Sequence, residues 1–229
     1  MSLTNLWAAF AAMVVMGCGA AAVAGNTDSK DPKSAEQLLQ AASKGDAAKV
    51  SALLKQGVPV DVRDASDSTP LLLATAGGHV EAARVLVEAG ADVNLQNRQL
   101  DSAYLLAGAR GELEILRMTL KAGADLKSTN RFGGTALIPA CERGHVEVVK
   151  TLLQAGVDPN HINRLGWTGL LEAIILSDGG PPHQAIVRLL LDGGANVNLA
   201  DRDGVTPLQH ARARKQTAIA NMLTAAGGR

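Results

Sequence analysis

Five histidines are the residues of this chain best suited to metal binding or acid–base chemistry: His79, His145, His161, His183 and His210. Three of them, His79, His145 and His183, occupy one position of a repeating pattern. If each copy of the pattern is a layer of packed helices, neighbouring layers lie about 10 Å apart. A zinc ion needs nitrogen ligands about 2 Å from its centre. We therefore interpret these histidines as polar residues at helix starts and predict no metal site.

No other arrangement of residues supports catalysis or phosphate binding. No serine lies in the sharp strand-to-helix turn that exposes the nucleophile of hydrolases. Gly133-Gly134 and Gly179-Gly180 lack the lysine and the strand context of a phosphate-binding loop. Cys141 stands beside Ala140, where a small packed thiol is expected. The sequence therefore predicts no enzymatic activity and no cofactor.

An arginine recurs directly after the Asn or Asp that opens each of four segments, and the first two intervals between these arginines are equal. Apolar or aromatic residues accompany two of the arginines. Arginine and aromatic residues are enriched at the energetic centres of protein interfaces, and a guanidinium group matches a carboxylate in two-point contacts. Alternatively, the arginines bond to neighbouring loops or carry solvated charge, and Trp167, which lies near the third of them, covers the entrance of a helix. The predicted partner-binding residues are Arg98, Arg131, Phe132, Arg164, Leu165, Trp167 and Arg202.

These intervals belong to a repeat that runs through most of the chain. Three similar phrases follow one another at a constant interval, with their glycines at positions 78, 111 and 144. They are Gly78-His79-Val80-Glu81, Gly111-Glu112-Leu113-Glu114 and Gly144-His145-Val146-Glu147. Each unit ends in a phrase such as Ala89-Gly90-Ala91-Asp92-Val93-Asn94. Self-similarity at such a period is the signature of a stacked repeat architecture. The phrases that begin successive units are Ser68-Thr69-Pro70-Leu71, Gly134-Thr135-Ala136-Leu137, Trp167-Thr168-Gly169-Leu170 and Val205-Thr206-Pro207-Leu208.

With this period, the Gly-His step and the Gly-Ala-Asp-x-Asn ending, the chain resembles the ankyrin repeat family from about residue 35 to residue 226. The resemblance implies an all-α repeat solenoid, in which helix pairs joined by β-hairpin loops stack in layers. It implies about four full or near-full repeats with terminal caps. It also implies a binding module without catalysis, and it leaves the partner unnamed.

The local chemistry of each unit is consistent with a pair of short helices. A Thr before an apolar run is a helix N-cap, because its hydroxyl accepts from an otherwise unpaired backbone N–H. Pro70 and Pro207 follow that Thr at the first helical position, where a missing N–H costs little. The second helix, exemplified by residues 146–153, has one apolar face and ends near Gly156, a residue suited to the left-handed conformation. One helix pair cannot bury both apolar faces, so neighbouring pairs must stack.

The period divides residues 35–229 into an N-terminal cap (35–63), four units (64–96, 97–129, 130–162 and 163–200) and a C-terminal cap (201–229). The unit 163–200 is longer than the three before it, and we assign its surplus to residues 177–182, between two helices. Leu100 stands where Gly is usual. Pro139, the fourth residue after Thr135, is expected to distort or shift the first helical turn. Tyr104 is expected in the core, with its hydroxyl reaching an edge.

Composition constrains the partner. The chain has 229 residues, of which 47% are hydrophobic but only 2% aromatic, as suits thin layers of closely packed helices. Lys and Arg number 22, as do Asp and Glu, so the formal net charge is zero. This balance provides no general attraction to nucleic acid or to an anionic membrane. We expect a monomer whose partner is another protein.

The N-terminal residues indicate export. Residues 6–17 form an apolar block that is shorter than a membrane span requires but long enough for the core of a signal peptide. Ala22-Val23-Ala24 supplies the small-x-small pattern before a cleavage site, so we predict a signal peptide over 1–24 and a polar linker over 25–34. In the alternatives, Val15-Met16-Gly17-Cys18 is a lipoprotein signal with Cys18 lipidated, or the segment is an uncleaved anchor. Any membrane contact would then be through this N-terminal anchor or lipid.

Together these features predict a non-catalytic protein–protein interaction module in the bacterial cell envelope. It would be a periplasmic adaptor or protective binding protein, or, in the lipidated case, a membrane-anchored lipoprotein. The alternative function is that of an inhibitor or immunity-type protein that occludes the active site of a partner enzyme.

Overall fold

The computed structural model of the protein describes residues 32–229. Over this range the chain forms twelve α-helices, in six consecutive pairs, and no strand. None of these helices has the length and apolar character needed to span a bilayer. The helices are α1 (Pro32–Ser43), α2 (Ala47–Lys55), α3 (Pro70–Ala76), α4 (Val80–Glu88), α5 (Ala103–Arg110), α6 (Leu113–Lys121), α7 (Leu137–Glu142), α8 (Val146–Gln154), α9 (Gly169–Ile175), α10 (Pro181–Asp192), α11 (Pro207–Ala213) and α12 (Thr217–Ala225).

The pairs stack as two parallel rows of helices. The first helix of each unit packs against the first helix of the next, and each second helix packs against the next second helix. The buried side chains of all units join in one continuous core that extends from Leu38 to Leu223. Because each pair buries one face on either neighbour, the stability of a pair depends on the pairs beside it. The predicted all-α repeat solenoid is confirmed. The loops between its units are turns with no strand over residues 32–229, so the expected β-hairpin loops are not formed.

Three of the predicted threonine caps are present. The hydroxyls of Thr69, Thr168 and Thr206 each accept a hydrogen bond from the backbone N–H three residues later, at 3.2, 3.2 and 3.3 Å. In the unit 97–129, which has no Thr at this position, the Ser102 hydroxyl accepts from the N–H of Leu105 at 3.2 Å. Each cap satisfies one unpaired N–H of the first turn.

The third full unit departs from this pattern, as its proline predicts. Here α7 begins at Leu137, and the Thr135 hydroxyl is buried with no hydrogen-bond partner among the described residues. The Thr135 carbonyl instead accepts from the N–H of Ile138 at 3.3 Å, in the tighter 3₁₀ pattern. Pro139 has no N–H to complete the usual α-helical bond. The expected shift of the first turn is confirmed.

Asparagine side chains join successive units. The Asn94 amide donates to the carbonyl of Gly123 at 3.1 Å, and its oxygen accepts from the N–H of Asp125 at 2.8 Å. Asn160 makes the same pair of bonds with Gly194 and Asn196, at 3.2 and 2.7 Å. These bonds set the spacing of the layers at one end of the second helices.

The surplus residues of the unit 163–200 are divided between a loop and a helix. The helix α10 begins at Pro181 and has 12 residues, whereas α8 has 9. The preceding loop packs against the last unit, because Gln216 donates from Nε2 to the carbonyls of Ile174 and Ser177 at 3.0 Å each. The insertion is thus part of the packing between units.

Tyr104 corrects one expectation. The residue is fully buried, and its hydroxyl has no hydrogen-bond partner among residues 32–229, so the prediction that it reaches an edge is wrong. Leu71, Leu137 and Leu170 hold the equivalent position in other units and are also buried. This position faces the middle of the layer, and burial raises the pKa of the Tyr104 phenol.

The first helix begins within the segment that was predicted to be a linker. It starts at Pro32, so residues 32–34, expected in the linker, are helical. The predicted signal peptide (1–24), Cys18 and linker residues 25–31 lie outside the described residues.

Candidate protein-binding surface

Each loop between units is built in the same way around the Asp or Asn that opens the unit. Asn163, for example, accepts with Oδ1 from the N–H of Leu165 at 2.9 Å and from that of Trp167 at 3.0 Å. Such bonds hold a tight turn without a strand. The turn projects the two residues that follow Asn163 to the loop tip. The same pair of bonds is made by Asp64, Asn97, Asn130 and Asp201.

The four predicted arginines follow these opening residues, and three of them reach back to the preceding unit. Arg98 Nε donates to Asp67 Oδ2 at 3.0 Å. Arg131 Nη1 lies 3.7 Å from Asp101 Oδ2, and Arg164 Nη1 donates to the carbonyl of Arg131 at 2.8 Å. The Arg202 side chain packs over Gly166. The arginines thus lie on adjoining loops, and three make the neighbouring-loop bonds of the alternative interpretation.

These bonds leave much of the arginine edge, formed by Arg98, Arg131, Arg164 and Arg202, accessible. The Arg98 and Arg131 side chains are 69% and 52% exposed, and exposed ion pairs of this kind contribute little to stability. The guanidinium carbon of Arg131 lies 4.6 Å from the centre of the Phe132 ring, in a cation–π contact. Partner binding by this edge stays a prediction.

A groove adjoins the edge between the units 130–162 and 163–200. We call it the Phe132 groove; its cavity volume is about 370 Å³. Of the predicted residues, Arg131, Phe132 and Leu165 line it, whereas Arg98, Arg164, Trp167 and Arg202 do not. Phe132, Leu165 and Leu176 are 53%, 52% and 48% exposed, a concentration of large apolar side chains in water. The remaining lining residues are Asn130, Gly134, Ile138, Pro139, Glu142, Arg143, Asn163, Glu172 and Leu176.

Glu172 is the most unusual residue of the groove. It is only 6% exposed, and its Oε1 accepts from Asn163 Nδ2 at 2.7 Å. Burial, which has the largest effect, and the nearby Glu142 carboxyl together raise the pKa of the Glu172 carboxyl to about 7, although the bond from Asn163 lowers it. A carboxylate held out of water beside a second carboxylate favours a cation or a proton.

Three lining residues that give the groove its chemistry were missed by sequence reasoning: Leu176, Glu142 and Glu172. Aligning the units shows the signal for two of them. Glu172 stands where the first two full units have Leu73 and Leu106, and Leu176 stands where the preceding unit has Arg143. Glu172 is thus polar at a position that is apolar in those units, and Leu176 is apolar at a position that is charged in the preceding unit.

Two histidines bond to the preceding unit, and two bond within their own unit. His79 Nε2 and His183 Nε2 lie 3.1 and 2.9 Å from the carbonyls of Ser43 and Glu142, each in the preceding unit. His161 Nε2 lies 2.7 Å from the Gly133 carbonyl, and His210 Nε2 lies 2.7 Å from Asp201 Oδ2. Within residues 32–229, no group of three or more His, Cys, Asp and Glu is placed to hold a metal ion.

Cys141 is a packed thiol, as predicted. It is fully buried, and burial raises its pKa, so the reactive thiolate is disfavoured. Its sulfur lies against the start of α9, where a Cβ on Gly169 would come within 3.0 Å of it. The residue therefore fills the contact between α7 and α9.

Comparisons with known proteins agree with this architecture. Residues 12–97 and 104–201 match the model of a family described as ankyrin repeats in three copies. The putative ankyrin repeat protein YahD of Escherichia coli (strain K12) is 56% identical over 57 residues, which span 25% of this chain and 28% of that protein. The whole of that relative is thus much longer than the matching segment.

Solved structures match over most of their length. An ankyrin repeat domain from Acinetobacter baumannii AYE is 57% identical, with 84% of this chain and 98% of that chain covered and a TM-score of 0.82. The ankyrin repeat protein EF0377 is 41% identical, with 83% and 97% covered and a TM-score of 0.80. The ankyrin repeat domain of Bcl-3, an IκB family member, is 29% identical, with 84% and 86% covered and a TM-score of 0.75.

Proposed function

The chain belongs to the ankyrin repeat family, and we propose that it is a non-catalytic module that binds a folded protein through the arginine edge and the Phe132 groove. Ankyrin repeat domains are generally protein–protein interaction modules. The observation that carries the proposal is the cluster of Phe132, Leu165 and Leu176, each about half exposed around one groove. Exposed apolar patches rimmed by polar residues mark interaction sites.

The edge and the groove have complementary roles. Phe132 and Leu165 offer apolar anchors, which provide most of the energy at protein interfaces when a partner covers them. The arginine edge adds charge, which contributes to orientation and to the rate of association. The stack holds both in place, because the loop tips are fixed by side-chain bonds such as those of Asn163. Little ordering is then required on binding.

A triple substitution tests this surface. Arg131→Ala, Phe132→Ala and Leu165→Ala together remove one arginine of the edge and two of the groove's three exposed apolar side chains, and none of the three substituted side chains is buried. A matched control is Arg117→Ala, Lys150→Ala and Arg188→Ala, which removes three exposed cations from α6, α8 and α10. In a pull-down from envelope extract of the native host, we expect the groove variant to lose a protein that wild type and control retain. Equal recovery by all three would contradict the proposal.

We further propose that the protein acts in the bacterial cell envelope. The apolar block at residues 6–17 and Ala22-Val23-Ala24 support export, and the similarity to proteins of Escherichia coli and Acinetobacter baumannii supports a bacterial setting. Mass spectrometry of the protein purified from its host tests this. A periplasmic protein should begin at Gly25, and a lipoprotein should begin at a modified Cys18. An intact Met1 in a cytoplasmic fraction would contradict export.

The same surface would also serve an inhibitor or immunity-type protein. This alternative requires that the captured partner be an enzyme whose active site is covered. Assaying that enzyme with and without equimolar protein separates the two functions: lost activity indicates an inhibitor, and unchanged activity indicates an adaptor or protective protein.

A further inference from the structure

We propose that the Phe132 groove holds a lysine or arginine side chain of the partner, with its charged end between Glu142 and Glu172 and its hydrocarbon stem along Phe132, Leu165 and Leu176. This inference rests on the proposed protein-binding function and adds the chemistry that the groove selects. Four features support it: the apolar side chains that form the walls of the groove, the two carboxylates at its floor, the arginines at its rim, and the position of Glu172 in the repeat.

The walls suit a long apolar stem. Phe132, Leu165 and Leu176 stand on two neighbouring units and are each about half exposed. Lys and Arg bury their methylene groups along apolar surface while the charged end reaches a polar partner. A side chain of this kind would cover apolar surface that an acidic or short polar side chain would leave in water.

The floor offers two carboxylates that lack a cation. Within residues 32–229, neither Glu142 nor Glu172 takes part in an ion pair. Oε1 of Glu172 accepts from Asn163, and over the same residues its Oε2 has no hydrogen-bond partner. Glu172 is more than nine-tenths buried and lines the groove. A buried carboxylate costs free energy unless it gains a partner, and an ammonium or guanidinium group from outside would supply one.

The arginines of the rim do not fill this position, because they bond toward the unit 97–129. Arg131 Nη1 lies 3.7 Å from Asp101, and Arg143 Nη1 donates to the Ala109 carbonyl at 2.6 Å. Both acceptors belong to the unit before the groove, whereas Glu172 belongs to the second of the two units that form it. The cationic rim and the acidic floor are thus separate features of the groove.

Other occupants fit the groove less well. A metal ion would need more ligands than this pair of carboxylates, since no group of three or more suitable residues occurs in the described chain. The Asn163 oxygen is already used by the N–H groups of Leu165 and Trp167. An acidic side chain at the floor of the groove would be repelled by Glu142 and Glu172, and a purely apolar one would bury them without a partner.

The repeat localises this acidic floor. At the position of Glu172, the preceding units carry Leu73, Leu106 and Pro139, and the last carries His210. No carboxylate therefore occurs at this position elsewhere in units 64–229. A single acidic position within a repeated surface fixes the register of a partner along the stack.

The test begins with a selection of peptides. A phage library of random heptapeptides is selected on the purified wild-type protein, with Phe132→Ala/Leu165→Ala as the counter-selection. Enriched peptides are synthesised in two forms, one as selected and one with each Lys or Arg changed to Gln. Their dissociation constants are measured by fluorescence anisotropy against wild type, Glu172→Gln and the control Glu147→Gln. Glu147 is a carboxylate on α8, outside the groove.

We expect enriched peptides to carry Lys or Arg beside apolar residues. Changing that residue to Gln should weaken binding about tenfold with wild type and with Glu147→Gln, and less than about twofold with Glu172→Gln. Melting curves of the variants verify that each is folded. The Gln change preserves the acceptor used by Asn163, so a packing role alone would leave the ratio unchanged.

Two results would overturn the inference in distinguishable ways. Groove-dependent peptides that show no preference for a basic residue, or the same preference with Glu172→Gln, refute the basic side chain and leave the protein-binding groove intact. If no peptide depends on Phe132 and Leu165, the inference fails, and the pull-down with the groove variant decides separately whether the groove binds a folded protein.

Discussion

Glu172 shows how one residue can differ from its equivalents without disturbing the fold. It extends from a helix, α9, whose other residues are all buried. Asn163, which already shapes the loop, donates to the carboxyl group at 2.7 Å. The burial that raises the pKa of Glu172 also makes its charged form costly for the folded state. This cost gives a measurable pH dependence.

The substitution Glu172→Gln should flatten that dependence. The folded pKa of about 7 exceeds the ordinary 4.5, so the folded protein binds the proton more tightly than the unfolded chain. The resulting stability is full below about pH 4.5, is lost as the pH rises toward 7, and stays lost above it. At pH 8 the variant should therefore be more stable than wild type by on the order of 2 kcal/mol. At pH 4.5 the two should agree closely.

Urea unfolding at pH 4.5, 6, 7 and 8 measures this difference, with Glu147→Gln as the control for a carboxylate outside the groove. A parallel pH profile for wild type and Glu172→Gln would show that burial does not perturb the carboxyl group.

Leu100 carries a conformational cost at a loop tip. Its φ is +59°, while the equivalent Gly133, Gly166 and Gly204 also have positive φ. The left-handed conformation costs a residue with a Cβ roughly 1–2 kcal/mol. Leu100→Gly should therefore raise the free energy of unfolding by about 1 kcal/mol, after the greater flexibility of unfolded glycine is included.

Thermal or urea unfolding checks this expectation against the reverse change, Gly133→Ala. That change should destabilise the protein, because its Cβ would lie 2.9 Å from Arg164 Cγ at a φ of +72°. Equal stability of Leu100→Gly and wild type would mean that the loop relaxes around Leu100 at no cost.

The placement of individual residues could be predicted at positions that have the same role in every unit. The loop arginines were found because each follows an equivalent Asp or Asn, and Cys141 because it stands at a small, packed position. The Tyr104 hydroxyl was wrongly placed, since the sequence does not give the depth of a layer. Glu172 and Leu176 were missed because each is an exception at its repeat position, and the groove arises only when two units are packed together.

At the scale of the element, the junction between the units 97–129 and 130–162 lacks the asparagine hydrogen bonds that join other units. Lys127 stands where Asn94 and Asn160 each make two hydrogen bonds to the following unit. No such bond from the Lys127 side chain occurs among the described residues. Lys127→Asn should restore both, to the Gly156 carbonyl and from the Asp158 N–H. We expect a stabilisation of about 1–2 kcal/mol.

The control is Lys127→Ala, which removes the lysine but supplies neither bond. Comparing unfolding midpoints of the two variants separates the bonds from the loss of the lysine charge. If Lys127→Asn is no more stable than Lys127→Ala, the asparagine bonds do not limit the strength of this junction.

The helices could largely be predicted from the sequence, because capping and apolar spacing act locally. Pro139 indicated the shifted start of α7 for the same reason: a missing N–H affects its own turn. The insertion at residues 177–182 was less predictable. Part of it extends α10, and part is held by Gln216, which is 39 residues beyond Ser177 in the chain. Such distant contacts leave no local signal.

At the scale of the whole molecule, the constant repeat period was sufficient to predict the stack, because each layer can be buried only by its neighbours. The same regularity aligns the loop tips on one edge and sets the Phe132 groove beside it. The period carries no information about the partner, since the residues that face it are free to vary without affecting the core. The proposed partner surface therefore rests on exposure and charge and not on the repeat period.

The most direct test of the account is amide hydrogen exchange of the protein, alone and saturated with the partner captured by the pull-down. We predict slower exchange in residues 130–143 and 163–176, which include the Phe132 groove, and unchanged exchange in α6 and α8. Protection confined to the second helices, with residues 130–143 and 163–176 unaffected, would contradict binding through the groove.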